Sequence, residues 1–171
     1  MKQFISLLIT ALITLLFCTK LQAQSSQRDI DQVELTKKLI GSWRIEMAND
    51  STEVWKVLPF EKGYEQYINY QAKGETYATD RGIIGFSSDY QTVLLDFLSP
   101  NGMIRRYSGK FISEQKIVFE RYDEGHTSIL AIVELYFQTP DIIEEVFKLK
   151  GDNESWDEAE VWERVLTRIK E

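Results

Sequence analysis

The chain has 171 residues, with 20 Lys and Arg against 27 Asp and Glu, a formal net charge of −7, one histidine and one cysteine. An acidic chain with scattered basic residues repels phosphate backbones and anionic headgroups, so neither nucleic acid nor a membrane surface is an expected partner. A single cysteine leaves no basis for a disulfide framework or a thiolate metal site.

Residues 1–23 read as a secretory signal peptide. Met1-Lys2-Gln3 gives a positive start, Phe4 to Phe17 is almost wholly apolar, and Leu21-Gln22-Ala23 puts a small residue before the expected cut. The apolar run is shorter than the roughly 20 residues that span a bilayer, and no later segment approaches that length, so no membrane span is expected. Cys18 follows bulky Phe17, where lipidation needs a small residue, and it leaves with the signal. Loss of Lys2 and Lys20, with no acid, takes the formal charge from −7 to −9. Residues 24–171 are then one domain, expected to be secreted or periplasmic and stabilised by packing alone. Nothing in the sequence speaks to an oligomeric state.

Residues 29–40, DIDQVELTKKLI, space Ile30, Val33, Leu35 and Leu39/Ile40 loosely as a short helix, with Asp29 as N-cap and Gly41 as its stop. After Gly41 the period becomes two. Trp43, Ile45 and Met47 alternate with Arg44 and Glu46 until Asn49-Asp50-Ser51 breaks the run. Further strands are predicted at 51–59, 64–72, 75–86, 90–98, 103–112, 116–123, 126–138, 141–149 and 155–167. The last also fits a helix through Ala159, Trp162, Val165 and Leu166, but a closing strand needs it. Short turns rich in Gly, Asn, Asp, Ser and Pro separate these runs, which makes neighbours antiparallel hairpins. The fold class is therefore all-β, an antiparallel up-and-down barrel of about 8–10 strands with a short N-terminal helix; closure removes the two exposed edges of so wide a sheet.

The short helix followed by Gly41-Ser42-Trp43 at the first strand of a meander resembles the lipocalin and wider calycin pattern, and most of all its small secreted bacterial members. The resemblance implies that Trp43 closes the bottom of the barrel and that a basic residue near the chain end packs across its ring; Arg164 is the candidate. Ser88-Asp89-Tyr90 is similar to a second lipocalin signature but falls in an earlier hairpin than the family would place it.

Residues that carry chemistry are sparse. His126 has no second His or Cys to complete a metal site and reads as a solvated turn residue, although an imidazole at a barrel rim can ligate haem iron. No metal ligand set and no cofactor are expected. Of the acid pairs, Asp123-Glu124 lies in a turn, Glu144-Glu145 point to opposite faces, and Glu158/Glu160 share a face that reads as exterior. No nucleophile elbow, phosphate loop or metalloprotease helix is present, so no catalytic residue is assigned.

Parity is more informative. If Tyr107 and Phe111 point inward, so does Arg105, and Ile117 with Phe119 carries Arg121 inward. Two buried arginines need anions: a ligand carboxylate, as in the fatty-acid-binding relatives of the calycin group, an internal ion pair with Asp96 or Glu134, or a register that turns both outward. The candidate ligand-binding residues are Trp55, Tyr70, Phe97, Arg105, Tyr107, Phe119 and Arg121. The expected function is non-enzymatic binding of a small hydrophobic or amphipathic molecule, an anionic one among the candidates; the alternatives are an envelope interaction module with a filled core and, behind it, a barrel-based isomerase or hydrolase.

Overall fold

The computed structural model describes residues 30–122, 125, 128–151 and 154–170. The expected signal peptide, Cys18, Asp29, Asp123-Glu124 and His126 lie outside the described residues. No helix among the described residues is long and apolar enough to cross a membrane.

Alternation of inward apolar and outward polar residues yields ten strands: β1 (Gly41–Glu46), β2 (Ser51–Phe60), β3 (Gly63–Ala72), β4 (Glu75–Ser87), β5 (Thr92–Leu98), β6 (Ile104–Ser113), β7 (Lys116–Tyr122), β8 (Ile129–Thr139), β9 (Ile142–Leu149) and β10 (Glu160–Arg168). Each pairs antiparallel with its chain neighbours, and β1 meets β10 to close the barrel. Residues 160–168 are thus strand. Tight reversals suit the sheet twist: Lys73 and Gly74, between β3 and β4, have φ of 52° and 82°, the paired positive values of a hairpin turn that follows the right-handed twist.

The helix is shorter than its pattern predicts. α1 spans Gln32–Thr36 and runs into a 3₁₀ turn at Lys37–Leu39, and the N-cap is Asp31, whose Oδ1 accepts the Glu34 N–H at 2.9 Å. It does not dock by an apolar stripe. Val33 is 51% exposed, while Gln32 and Thr36 are buried. Gln32 Nε2 donates to the Phe111 carbonyl at 3.0 Å, and Gln32 Oε1 accepts the Phe111 N–H at 2.7 Å. β5 begins at Thr92 and its pairing with β6 begins at Val93↔Gly109, so the Gln32 amide satisfies a stretch of β6 backbone that β5 does not reach. A five-residue helix is marginal by itself; two hydrogen bonds to the sheet hold it.

The closing seam is narrow. β1 and β10 share the register pairs Trp43↔Arg168 and Arg44↔Thr167, and much of the closure passes through one side chain. Arg168 Nε donates to the Pro140 carbonyl and Nη1 to the Ile40 carbonyl, each at 2.8 Å, and the guanidinium lies 4.0 Å from the Trp43 ring centroid. Trp43 Nε1 donates to Leu39 O at 2.9 Å. The basic partner of Trp43 is therefore Arg168 and not Arg164, because the seam register sets Arg168 opposite Trp43, whereas Arg164 pairs with Glu145 one strand further on. Gly41 has φ of 126°, and a Cβ there would collide with the Arg168 guanidinium. Glycine at the head of the Gly-x-Trp motif thus admits the arginine to the seam.

Arg168→Met should remove the charge-assisted bonds and the ring contact while keeping the stem, lowering stability by about 2–4 kcal/mol. Arg168→Lys should recover less than half of that, since an ammonium cannot fork to two carbonyls across the ring. Urea unfolding of both variants checks this; a loss within ~0.5 kcal/mol for Arg168→Met would remove Arg168 from its place in closure.

Candidate functional site

Strand parity determines what enters the lumen. Around the end capped by the helix, Trp43, Val57, Val93, Phe111, Ile117, Ile143 and Leu166 are almost fully buried. Above this apolar floor is a cavity of about 380 Å³, near the small end of the roughly 300–1,000 Å³ of ligand pockets. Trp55, Tyr70, Phe97, Arg105, Tyr107 and Phe119 all line it. Arg121 is half-buried beside it, its guanidinium 5.9 Å from the Tyr107 ring centroid. Six of the seven candidate residues are brought together on one wall system, and the seventh stands next to Tyr107.

Two glycines shape that wall. Gly82 faces Phe97 across β4 and β5, and Gly109 faces Phe119 across β6 and β7. A Cβ at either position would run into the opposite ring. The missing side chains let both rings lie flat along the wall instead of standing into the lumen.

Arg105 takes an internal partner. Its Nη2 donates to Asp80 Oδ2 and, at 2.9 Å, to Ser99 Oγ, and Tyr70 donates its hydroxyl to the same Asp80 oxygen at 3.1 Å. The partner is neither Asp96 nor Glu134. Asp96 lies between Leu95 and Phe97 in sequence and so faces outward, where Arg106 holds it at 2.8 Å. Glu134 lies between Val133 and Leu135 and pairs outside with Lys116 at 3.0 Å and Lys148 at 3.7 Å.

Sequence reasoning missed a second ion cluster. Glu53, Glu145 and Arg164 all line the cavity. Arg164 donates from Nη1 to Glu53 Oε2 at 2.8 Å and from Nε to Glu145 Oε2 at 2.6 Å, and Trp55 Nε1 donates to Glu53. The guanidinium stands 6.0 Å from the Trp55 ring centroid. The signal was parity once more: Glu53 alternates with Trp55, Glu145 with Ile143 and Phe147, and Arg164 with Trp162 and Leu166. Assigning Arg164 to Trp43 hid it. Glu144 and Glu145 do face opposite ways, Glu144 being exposed and Glu145 buried.

Glu53, Asp80 and Glu145 are each 2–3% exposed, so their charges depend on these contacts. Burial pushes the Glu145 carboxyl above its ordinary 4.5; Arg164 offsets part of the rise and Glu53 adds to it. Burial works against the Arg164 charge, but Glu145 and Glu53 outweigh it and hold its pKa above the ordinary value. Burial, then the fields of Glu53 and Asp80, drives the Tyr70 hydroxyl up, and burial raises Tyr107 despite Arg121 and Arg105 nearby. Both phenols are neutral hydrogen-bonding groups at neutral pH.

Gln66 also lines the cavity, is 2% exposed, and its Oε1 accepts no hydrogen bond; Arg105 Nε is likewise buried without a partner. Among the described residues, no group of three or more His, Cys, Asp or Glu could hold a metal ion. The arrangement can enclose a small apolar body and offer it fixed hydrogen-bonding and charged groups.

No protein-family model matches this chain, and comparison with curated proteins gives no match.

Two outcomes are expected from this geometry. Glu145 holds its proton to higher pH in the folded chain than in the unfolded one, so its contribution to stability falls as pH rises from about 4.5 through its raised value. Relative to Glu145→Gln, the protein should lose stability over that interval, read from urea midpoints at successive pH values; parallel curves would contradict the burial of an ionising Glu145. Separately, Gln66→Leu replaces an unpartnered buried amide with an apolar side chain of similar size. It should raise stability by about 1–2 kcal/mol, and a destabilised variant would mean that the amide has a partner in solution.

Proposed function

We propose that this chain is a non-catalytic binding protein that holds a small amphipathic molecule in its lumen. The observation that carries the reading is the cavity of about 380 Å³, apolar at its floor and provided on its walls with charged and hydrogen-bonding side chains. A barrel serving only as a scaffold gains more by filling that space, since a void costs stability and buried ions are no better than well-packed apolar residues. Kinship with the lipocalin-like and wider calycin barrels is supported by Gly41 and Trp43 at the start of β1, the capping helix and the Arg168–Trp43 contact. Ten strands exceed the eight of lipocalins, which favours the wider group. The signal-like residues 1–23 support a secreted or periplasmic location.

The Glu145 carboxyl favours a second reading, acid–base catalysis, because a raised pKa in a ligand-sized cavity is what a general acid needs. Its hydrogen-bonded ion pair with Arg164 gives that carboxyl a structural task instead. The interaction-module reading has weaker support: Ile83, Leu98 and Ile104 are exposed together on the outer face, but Arg81, Asp96 and Arg106 interrupt them.

A neutral, environment-sensitive naphthylamine dye should bind the purified protein at one site per chain, with enhanced emission. Val133→Phe, which adds a ring to the cavity wall, should abolish binding without unfolding the barrel. Dye binding unchanged in Val133→Phe would place it outside the lumen and sink the proposal.

A further inference from the structure

The proposed lumen ligand has a charge that the wall specifies. The cavity is lined by three carboxylates, Glu53, Asp80 and Glu145, and two guanidiniums, Arg105 and Arg164. Asp80 and Arg105 neutralise one another, whereas Arg164 is shared between Glu53 and Glu145. The excess negative charge therefore belongs to the Glu53–Arg164–Glu145 group. Tyr70 experiences the fields of both Glu53 and Asp80, so the two clusters act on one space. A ligand carboxylate would add a fourth anion there. Arg121, the remaining arginine of inward parity, is not among the lining residues; its guanidinium stands 5.9 Å from the Tyr107 ring centroid and its field falls on the Tyr107 hydroxyl, away from the Glu53–Arg164–Glu145 group.

The acceptors are also unevenly used. The hydrogen bonds from Arg164 to Glu145 go to Oε2, and those from Arg105 and Tyr70 to Asp80 go to Oδ2. An independent observation points the same way: the Gln66 amide, nine-tenths and more buried in the wall of the same cavity, presents an Oε1 with no donor. A buried acceptor left unpaired is costly, and an occupant that donates hydrogen bonds would remove that cost. Aromatic rings complete the wall. Trp55 and Phe97 already carry guanidiniums at 6.0 Å from their centroids, and Phe147 and Trp162 line it with rings 5.3 Å apart. Such faces attract cations.

We infer that the lumen ligand is an organic ammonium, a protonated amine on a compact aromatic or apolar body, with the amine seated at the Glu145 carboxylate and a further donor of the ligand reaching Gln66. This rests on the reading that the lumen binds a small molecule. An ammonium has three donors and no acceptor, which suits the open Gln66 Oε1 and the carboxylates beside it, and it balances the charge of the lining residues; Arg105 Nε, the unpartnered donor on the same wall, is held at the Asp80 end of the cavity by the Arg105–Asp80 pair.

Tryptamine, tryptophol and indoleacetate share an indole body and differ in the charge at their end, so calorimetric titration of the purified protein with each separates the possibilities. Tryptamine should bind at least about tenfold more tightly than indoleacetate, with tryptophol between them. Glu145→Gln should abolish the preference for tryptamine; Glu53→Gln, which relieves the same negative excess, should reduce it and serves if Glu145→Gln fails to fold. Gln66→Leu should weaken tryptamine and tryptophol. Equal or tighter binding of indoleacetate overturns the ammonium inference but leaves lumen binding standing, as does dye binding with no response to any of the three indoles. An unchanged preference in both glutamate variants overturns the seat at Glu145. If neither the dye nor any indole enters, the binding proposal itself falls.

Discussion

The barrel depends on the contact between Arg168 and Trp43. Nine pairings join strands that are consecutive in the chain, and each could form in an open sheet; the tenth joins the first strand to the last. Its ladder is short, so a side chain extends it, one guanidinium reaching backbone carbonyls on both sides of the seam while covering an indole. Without that join the inward faces would be one wet surface of a wide sheet. With it, they become a lumen walled off on its sides from bulk solvent, where charges interact more strongly than on a surface.

That change of medium explains the pairing of ions inside. Arginines and carboxylates that would be indifferent on a surface must find each other in the lumen, and they do so through Asp80 with Arg105 and through Glu53 and Glu145 with Arg164. The same physics makes the exceptions informative. Gln66 Oε1 and Arg105 Nε lie unpaired in a place where unpaired groups are expensive, beside a space that the chain leaves open. Surface pairs such as Arg106 with Asp96 carry no comparable meaning, because solvent screens them.

Strand number, order and closure were legible in the sequence because a period of two and turn residues are local signals. So was the aromatic lining, which follows from parity once a strand is located: Trp55, Tyr70, Phe97, Tyr107 and Phe119 all face the cavity. What parity could not give was pairing between distant strands. Arg105 was rightly sent inward, yet its partner lies on β4, two strands away, and choosing Asp96 or Glu134 ignored that their own neighbours turn them outward. Arg164 was misassigned for a similar reason: the basic residue on Trp43 is set by the seam register, which no local pattern encodes. The helix was misread because its docking uses an amide in place of an apolar stripe, a solution that exists only once the late start of β5 leaves Phe111 exposed to it.

Gly82 and Gly109 separate two properties of the lumen that are usually entangled. They lie behind the Phe97 and Phe119 rings and set how far those rings stand out, while the ions and amides are on other positions of the wall. Volume and polarity therefore have different residues behind them. A lineage of such barrels could tighten its cavity by adding a methyl group at Gly109, where the nearest atoms all belong to the Phe119 ring, pushing that ring inward without disturbing the charged groups that orient an occupant. It could also exchange those groups while keeping the same bore, so new selectivity would be reachable by small independent steps.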